Sequence, residues 1–229
     1  MAVAWWRSAG SREHPRQRPS VVKVPPTPPP AFIINHRSHV RTFEGSLWRV
    51  FRTEGARPVA WNQLRHYGPI PDMRFDPQPL PADTYPDTGV MYAATRPYTA
   101  LGEVYQGERV IDRSMGGATI VAWVPSRELM LLDLTSNWPV INGAAAAMMM
   151  DDKATTQAWA RAIYERHGDV LDGLYHQSSI NNEPLVTLFS RTEKLPAFPA
   201  RVRFSARLSD TTADEIVAQA TRKLGYASL

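Results

Sequence analysis

Three segments of the chain carry side chains whose types and spacing can do chemistry. The first is MRFDP (73–77), where Arg74 stands between Met73 and Phe75. A guanidinium among apolar neighbours is partly desolvated, and its planar fork suits bidentate binding of phosphate or carboxylate. The second is YAATRPYTALGEVYQ (92–106), which places Tyr92 near a strand end and Glu103 in a largely apolar helix beside Leu101 and Val104. A carboxylate on an apolar face is costly to bury unless it is paired or used. Burial also raises its pKa, as catalytic acids and bases require. The third is GLYHQSSINNEPLVTLFS (173–190), which concentrates His176, Gln177, Ser178, Ser179, Asn181 and Asn182 between two apolar strands. Each has a plain alternative: an exposed loop arginine, a solvated glutamate at the edge of a helix face, an ordinary polar turn.

The elements that must position these residues follow from the pattern. SLWRVFR (46–52), GVMYAAT (89–95), TIVAWVP (119–125), LMLLDLT (129–135), VLDGLYHQ (170–177), PLVTLFS (184–190) and ARVRFSARLS (200–209) read as strands. RPYTALGEVYQGE (96–108) reads as a helix with Pro97 in its first turn. KATTQAWARAIYERHG (153–168) and TTADEIVAQATRKLGY (211–226) read as helices stopped by Gly168 and Gly225, the second capped by Asp210 or Thr211. Residues 55–88 are a long loop with proline at 58, 69, 71, 77, 79, 81 and 86; a loop of that length in a compact domain is functional or disordered. Strands and helices mix without strict alternation, so the expected class is α+β with a mostly antiparallel sheet.

The 229 residues include no cysteine, which excludes disulfides and thiolate metal sites. The net charge is +4, but it is unevenly spread. Residues 1–41 hold seven Lys/Arg against one acid, a net +6; residues 42–229 hold nineteen against twenty-one, a net −2. Seven of the 20 prolines also fall in 1–41, including PPTPPP at 25–30. The expected organisation is a basic, proline-rich leader (1–41), disordered or loosely docked, followed by a folded domain (42–229). The leader reads either as an arm for a partner or nucleic acid, or as a disordered extension or upstream start; AFIINH (31–36) is apolar enough to pack on the domain as an edge element. No direct nucleic-acid binding is expected of the domain itself. The longest apolar run, 143–150, is far short of a membrane span, and the N-terminus lacks the order of a secretory signal, so a cytoplasmic protein is expected. No phosphate-binding glycine loop, dinucleotide fingerprint or nucleophile elbow is present. The HxxH pair His36/His39 lacks the further ligands a metal needs, and no metal site is expected.

Taken together the segments resemble the RES-domain family, named for its Arg, Glu and Ser. LWRV is similar to its opening strand and places Arg49; MRFDP is similar to its arginine–aromatic element and places Arg74. Tyr92 followed eleven residues later by Glu103 matches its tyrosine–glutamate spacing, and GLYHQSS before LVTLF places Ser178. The chain departs from the pattern at Asp72-Met73, Asp76, Ser179 and His176. Asp76 brings a negative charge close to the expected anion site.

The resemblance implies an ADP-ribosyltransferase-like fold and an enzyme that degrades NAD by breaking the nicotinamide–ribose bond, as a glycohydrolase or as a phosphorylase with inorganic phosphate as co-substrate. It further implies the toxin of a toxin–antitoxin pair, held by an Xre-type helix-turn-helix antitoxin. NAD is then a substrate and no prosthetic group is needed. Glu103, Arg74 and Ser178 are the implied catalytic residues, and Arg49, Tyr92, His176 and Phe75 the implied substrate-binding ones. Transfer of ADP-ribose to a macromolecule, or an inactive RES-like binding domain, are the alternatives.

Overall fold

The computed structural model describes residues 23–55 and 58–229. The chain runs through α1 (His36–His39), β1 (Val40–Phe43), β2 (Leu47–Arg52), β3 (Tyr67–Gly68), β4 (Asp83–Thr84), β5 (Val90–Ala94), α2 (Pro97–Tyr105), β6 (Val110–Ile111), β7 (Ala118–Trp123) and β8 (Leu129–Asp133). It continues through α3 (Trp138–Ile141), α4 (Lys153–His167), β9 (Gly173–Gln177), β10 (Pro184–Phe189), α5 (Arg191–Lys194), β11 (Phe204–Arg207), α6 (Asp214–Leu224) and β12 (Ala227–Ser228). Eight strands form one sheet in the order β1-β8-β9-β10-β5-β2-β7-β11. Every neighbouring pair is antiparallel except β8–β9. That parallel step requires a crossover, and α3 and α4 supply it. The architecture is therefore α+β with a mostly antiparallel sheet, as the pattern predicts.

Strands β7 and β10 are covered on both faces, which is why they read as continuous apolar runs rather than alternating ones. One face of the sheet carries Leu47, Met91, Ala93, Val121, Trp123, Leu131 and Val186. The other carries Leu132, Leu174 and Phe189 against Trp138, Trp159 and Ile163 of the crossover, with Phe75 inserted from the long loop. Further along that second face, α2 and α6 pack together over Ile120 and Ala206. Asp152 caps α4, accepting from the backbone N–H of Ala154 and Thr155 at 3.0 and 2.9 Å. Helix α6 ends at Gly225 in the left-handed region, as expected, but its N-terminus has no side-chain cap and is preceded by a 3-10 turn at Thr211–Ala213.

The division expected at residue 41 cuts through β1, which pairs with β8 from Val40↔Leu132 to Phe43↔Leu129. Residues 24–34 are not loose either. Val24 is buried, the Trp159 indole donates to the Pro25 carbonyl at 2.8 Å, and Arg166 donates to the Pro29 carbonyl at 2.8 Å. Phe32 packs on Trp138 and Trp159 under the Arg166 guanidinium, and the Asn142 side chain pairs with both backbone groups of Ile33. The reason is general: an extended proline-rich segment leaves its carbonyls unpartnered, and indole and guanidinium donors beside an apolar groove satisfy them. The remainder of the expected leader, 1–22, lies outside the described residues. Among the described residues no helix is long and apolar enough to cross a membrane, and no cluster of metal-ligating side chains occurs.

Candidate active site

Glu103 projects from the last turn of α2, with its helix neighbours Leu101 and Gly102 buried. Its Oε1 accepts the Ser178 hydroxyl at 2.6 Å. Ser178 begins the loop joining β9 to β10, and that loop is stitched along α2. Asn181 donates to the Thr99 hydroxyl at 3.0 Å, one turn before Glu103, and the Tyr98 hydroxyl donates to Glu183 at 2.7 Å. Within the loop the Ser178 Oγ accepts the Ile180 N–H at 3.1 Å, which leaves its proton free to point at the carboxylate. The polar run after β9 is thus more than a turn: its side chains fix one hydroxyl on one carboxylate.

Burial pushes the Glu103 carboxyl up from its ordinary value, while the Ser178 hydroxyl and the nearby Arg74 charge hold part of that rise back. Arg74 reaches this region from the long loop. Its Nη1 donates to the Ser179 hydroxyl at 3.1 Å and its Nε to the Asp151 carbonyl at 3.3 Å. Phe75 lies in the left-handed region at φ 59°, so the chain turns sharply between the two side chains. Arg74 faces the β9–β10 loop while the Phe75 ring drops into the core against His176, 4.7 Å between ring centroids.

The other expected site residues occupy different positions. His176 is 4% exposed and shares a hydrogen bond with the Thr187 hydroxyl at 2.9 Å. Burial pushes it down to about 4, so it is a neutral imidazole at neutral pH. The Arg74 charge is near enough to lower it further. Tyr92 extends from β5 on that same face; its hydroxyl lies against the Arg74 carbonyl and the Asp76 carboxylate. Burial and the Asp76 charge push the phenol well above its ordinary value, so it stays protonated as a donor. Arg49 is elsewhere. Trp48 pairs directly with Ala94 and therefore shares its face with Ala94 and Tyr92, so strand alternation sends Arg49 to the opposite face. There its Nη1 donates to the carbonyls of Trp61 at 2.9 Å and Gln63 at 3.0 Å, and burial with the Arg65 charge lowers it to about 10.

Asp76 does not leave an open negative charge beside Arg74. It is fully buried and paired with Arg65 at 2.6 Å, and it accepts the Ile70 N–H at 2.8 Å. Arg65 escaped the reading of residue patterns. The departure at Asp76 was the available signal, since a charge flanked by Phe75 and Pro77 requires a cation from somewhere. A groove of about 610 Å³ beside the end of α4, lined by Pro77, Tyr164, Asp169, Arg191 and Lys194 among others, contains none of the grouped residues. Its Arg191 is already bonded to the buried Asp172 at 2.7 Å. Glu103, Ser178 and Arg74 are therefore the candidate site.

No curated protein sequence matches the chain. Among solved structures, a chain of the M. tuberculosis MbcT–MbcA toxin–antitoxin complex is similar in fold, with a TM-score of 0.53 at 17% identity, covering 79% of this chain and 92% of that one. The RES domain matches residues 46–211, which include Glu103, Ser178 and Arg74; the chain belongs to the RES-domain family.

Proposed function

We propose that this protein consumes NAD by breaking the bond between nicotinamide and ribose, and that it is the toxin of a toxin–antitoxin pair. The observation that carries the reading is the half-buried Glu103 carboxylate, held by the Ser178 hydroxyl at 2.6 Å with the Arg74 guanidinium nearby, in a RES-domain chain. As the glycosidic bond breaks, its electron pair moves onto the nicotinamide nitrogen and neutralises the ring, while positive charge builds on the ribose. A fixed carboxylate stabilises that charge. It also orients the acceptor, whose oxygen forms the new bond to the ribose carbon and whose proton is released. Nicotinamide leaves neutral, so no second carboxylate is needed as an acid. Arg74 suits the pyrophosphate of NAD or an inorganic phosphate acceptor, with Arg49 in support from across the sheet through the loop it braces. Tyr92, Phe75 and His176 serve substrate binding by holding Arg74 and the surface beneath it.

The structural neighbour comes from a toxin–antitoxin complex, which supports an antitoxin as partner; a helix-turn-helix antitoxin of the Xre type is the proposed one. The test is incubation of the purified chain, freed of any partner, with NAD in the presence and absence of inorganic phosphate. Loss of NAD with release of nicotinamide is expected, and the second product distinguishes water from phosphate as acceptor. Glu103→Ala should lower the rate by several orders of magnitude while melting cooperatively. Intact NAD in both incubations at high protein concentration refutes the proposal; label from NAD appearing on a macromolecule would identify a transferase instead.

A further inference from the structure

The main chain at Arg74 belongs to no helix or strand. Its carbonyl is instead met by the Tyr92 hydroxyl, which also lies against Asp76 Oδ1. Asp76 is 0% exposed, so its charge and orientation depend on what pairs with it. Arg65 Nη2 holds Oδ1 at 2.6 Å, and the Ile70 N–H holds Oδ2 at 2.8 Å. Arg65 is itself fixed on three sides. It makes an isolated bridge to Val90, with N–H to carbonyl bonds of 2.9 and 3.0 Å in the two directions. Its Nη1 donates to the Tyr67 carbonyl, and its own carbonyl accepts from Gln78 at 3.1 Å. The segment leading into it, 60–63, is braced by Arg49.

These contacts form a continuous path from the base of the long loop to the residue that faces Glu103. We infer that Arg65 is a positioning residue for Arg74: through Asp76 and the Tyr92 hydroxyl it sets the main chain from which the Arg74 guanidinium enters the site. Arg65 touches no substrate. Phe75 makes such a device necessary, because a left-handed residue next to Arg74 removes the regular backbone pairing that would otherwise hold it. The resident Asp76–Arg65 pair also accounts for how a carboxylate is tolerated two residues from an anion-binding arginine.

The inference rests on the NAD reading only for the use to which Arg74 is put, so its test has one readout that depends on that reading and one that does not. Wild type, Arg65→Met, Tyr92→Phe and the double variant are compared by NAD kinetics and by hydrogen exchange at the Ile70 and Met73 amides. Because Arg74 grips the ligand, each single variant should raise KM about tenfold or more with a smaller change in kcat. The double variant should be no worse than the poorer single, since both act along one path. Exchange at Ile70 should accelerate in Arg65→Met, where Asp76 loses its anchor. Additive losses in the double variant, or wild-type exchange and KM in a folded Arg65→Met, overturn the inference. Where Arg65→Met does not fold, Arg65→Lys keeps the charge but cannot serve both Asp76 and Tyr67; the same pattern at smaller size is expected, and wild-type values overturn the inference. Absence of NAD turnover in the wild type would remove the functional reading, while the exchange measurement would still decide whether Arg65 holds this loop.

Discussion

Replacing Ser178 by alanine isolates the contact on which the proposed chemistry turns. The hydroxyl donates to Glu103 at 2.6 Å and accepts from the Ile180 N–H at 3.1 Å, and alanine deletes both bonds. A hydrogen bond to a charged group contributes about 1.5–3 kcal/mol. If it is expressed fully in the transition state, that range corresponds to about a 10- to 150-fold loss of rate. The loss has two separable parts. Where Glu103 is ionised in both proteins, only its orientation is affected. At lower pH a second effect enters, with a definite sign. The Ser178 bond favours the ionised carboxylate and holds down a pKa that burial has raised. Deleting it raises that pKa further, so the acid limb of kcat/KM must move to higher pH. The assay is the initial rate of NAD loss from pH 5 to 9 for wild type, Ser178→Ala and Ser178→Thr, the last retaining a hydroxyl. A limb that stays in place or moves to lower pH, with a uniform loss across the range, would refute the assignment of Ser178 as the group that holds Glu103.

Three further outcomes concern the frame around the site. Gly173 has φ 156°, and an added Cβ would lie 1.9 Å from the Thr187 carbonyl oxygen, so Gly173→Ala must push β9 away from β10; a loss of about 3 kcal/mol or more is expected, and an unchanged denaturation midpoint would refute it. Burial alone would raise Asp172, but the bonds from Arg127, the Met130 N–H and Arg191 outweigh it and hold the carboxyl below its ordinary value. Its stabilising contribution is therefore present above the ordinary carboxylate range and lost as pH falls through the lowered value. Arg127→Met should cost about 3 kcal/mol near neutral pH, the low end for a broken buried pair because Arg191 remains, and melting curves of variant and wild type should converge in acid. Phe32→Ala removes the ring held between Trp138 and Trp159. A loss of about 2–3 kcal/mol follows from its half-buried state, lowering Tm by about 4–12 °C; an unshifted Tm would show that residues 24–34 do not brace the crossover.

Much of this protein is legible along the chain because it depends on near neighbours. The eleven-residue interval from Tyr92 to Glu103 is a strand, a turn and two turns of helix, and those elements form where period and proline placement predict them. The stop at Gly225 and the buried strands β7 and β10 are equally local. What lay beyond that reading depends on sheet order and on which face a side chain meets. Alternation along β2 is visible in LWRVFR, yet only the pairing of Trp48 with Ala94 decides that Arg49 faces away from Tyr92. Proline-rich composition suggests a loose leader, and only the tryptophans and Arg166 of a crossover more than a hundred residues away show why residues 24–34 dock. Asp76 looks like a misplaced charge until Arg65 is seen beside it. Residue types and intervals determined the candidates for chemistry. Tertiary structure alone decided which of them meet, because burial and pairing are properties of surfaces brought together by folding, and a lone sequence does not order its strands.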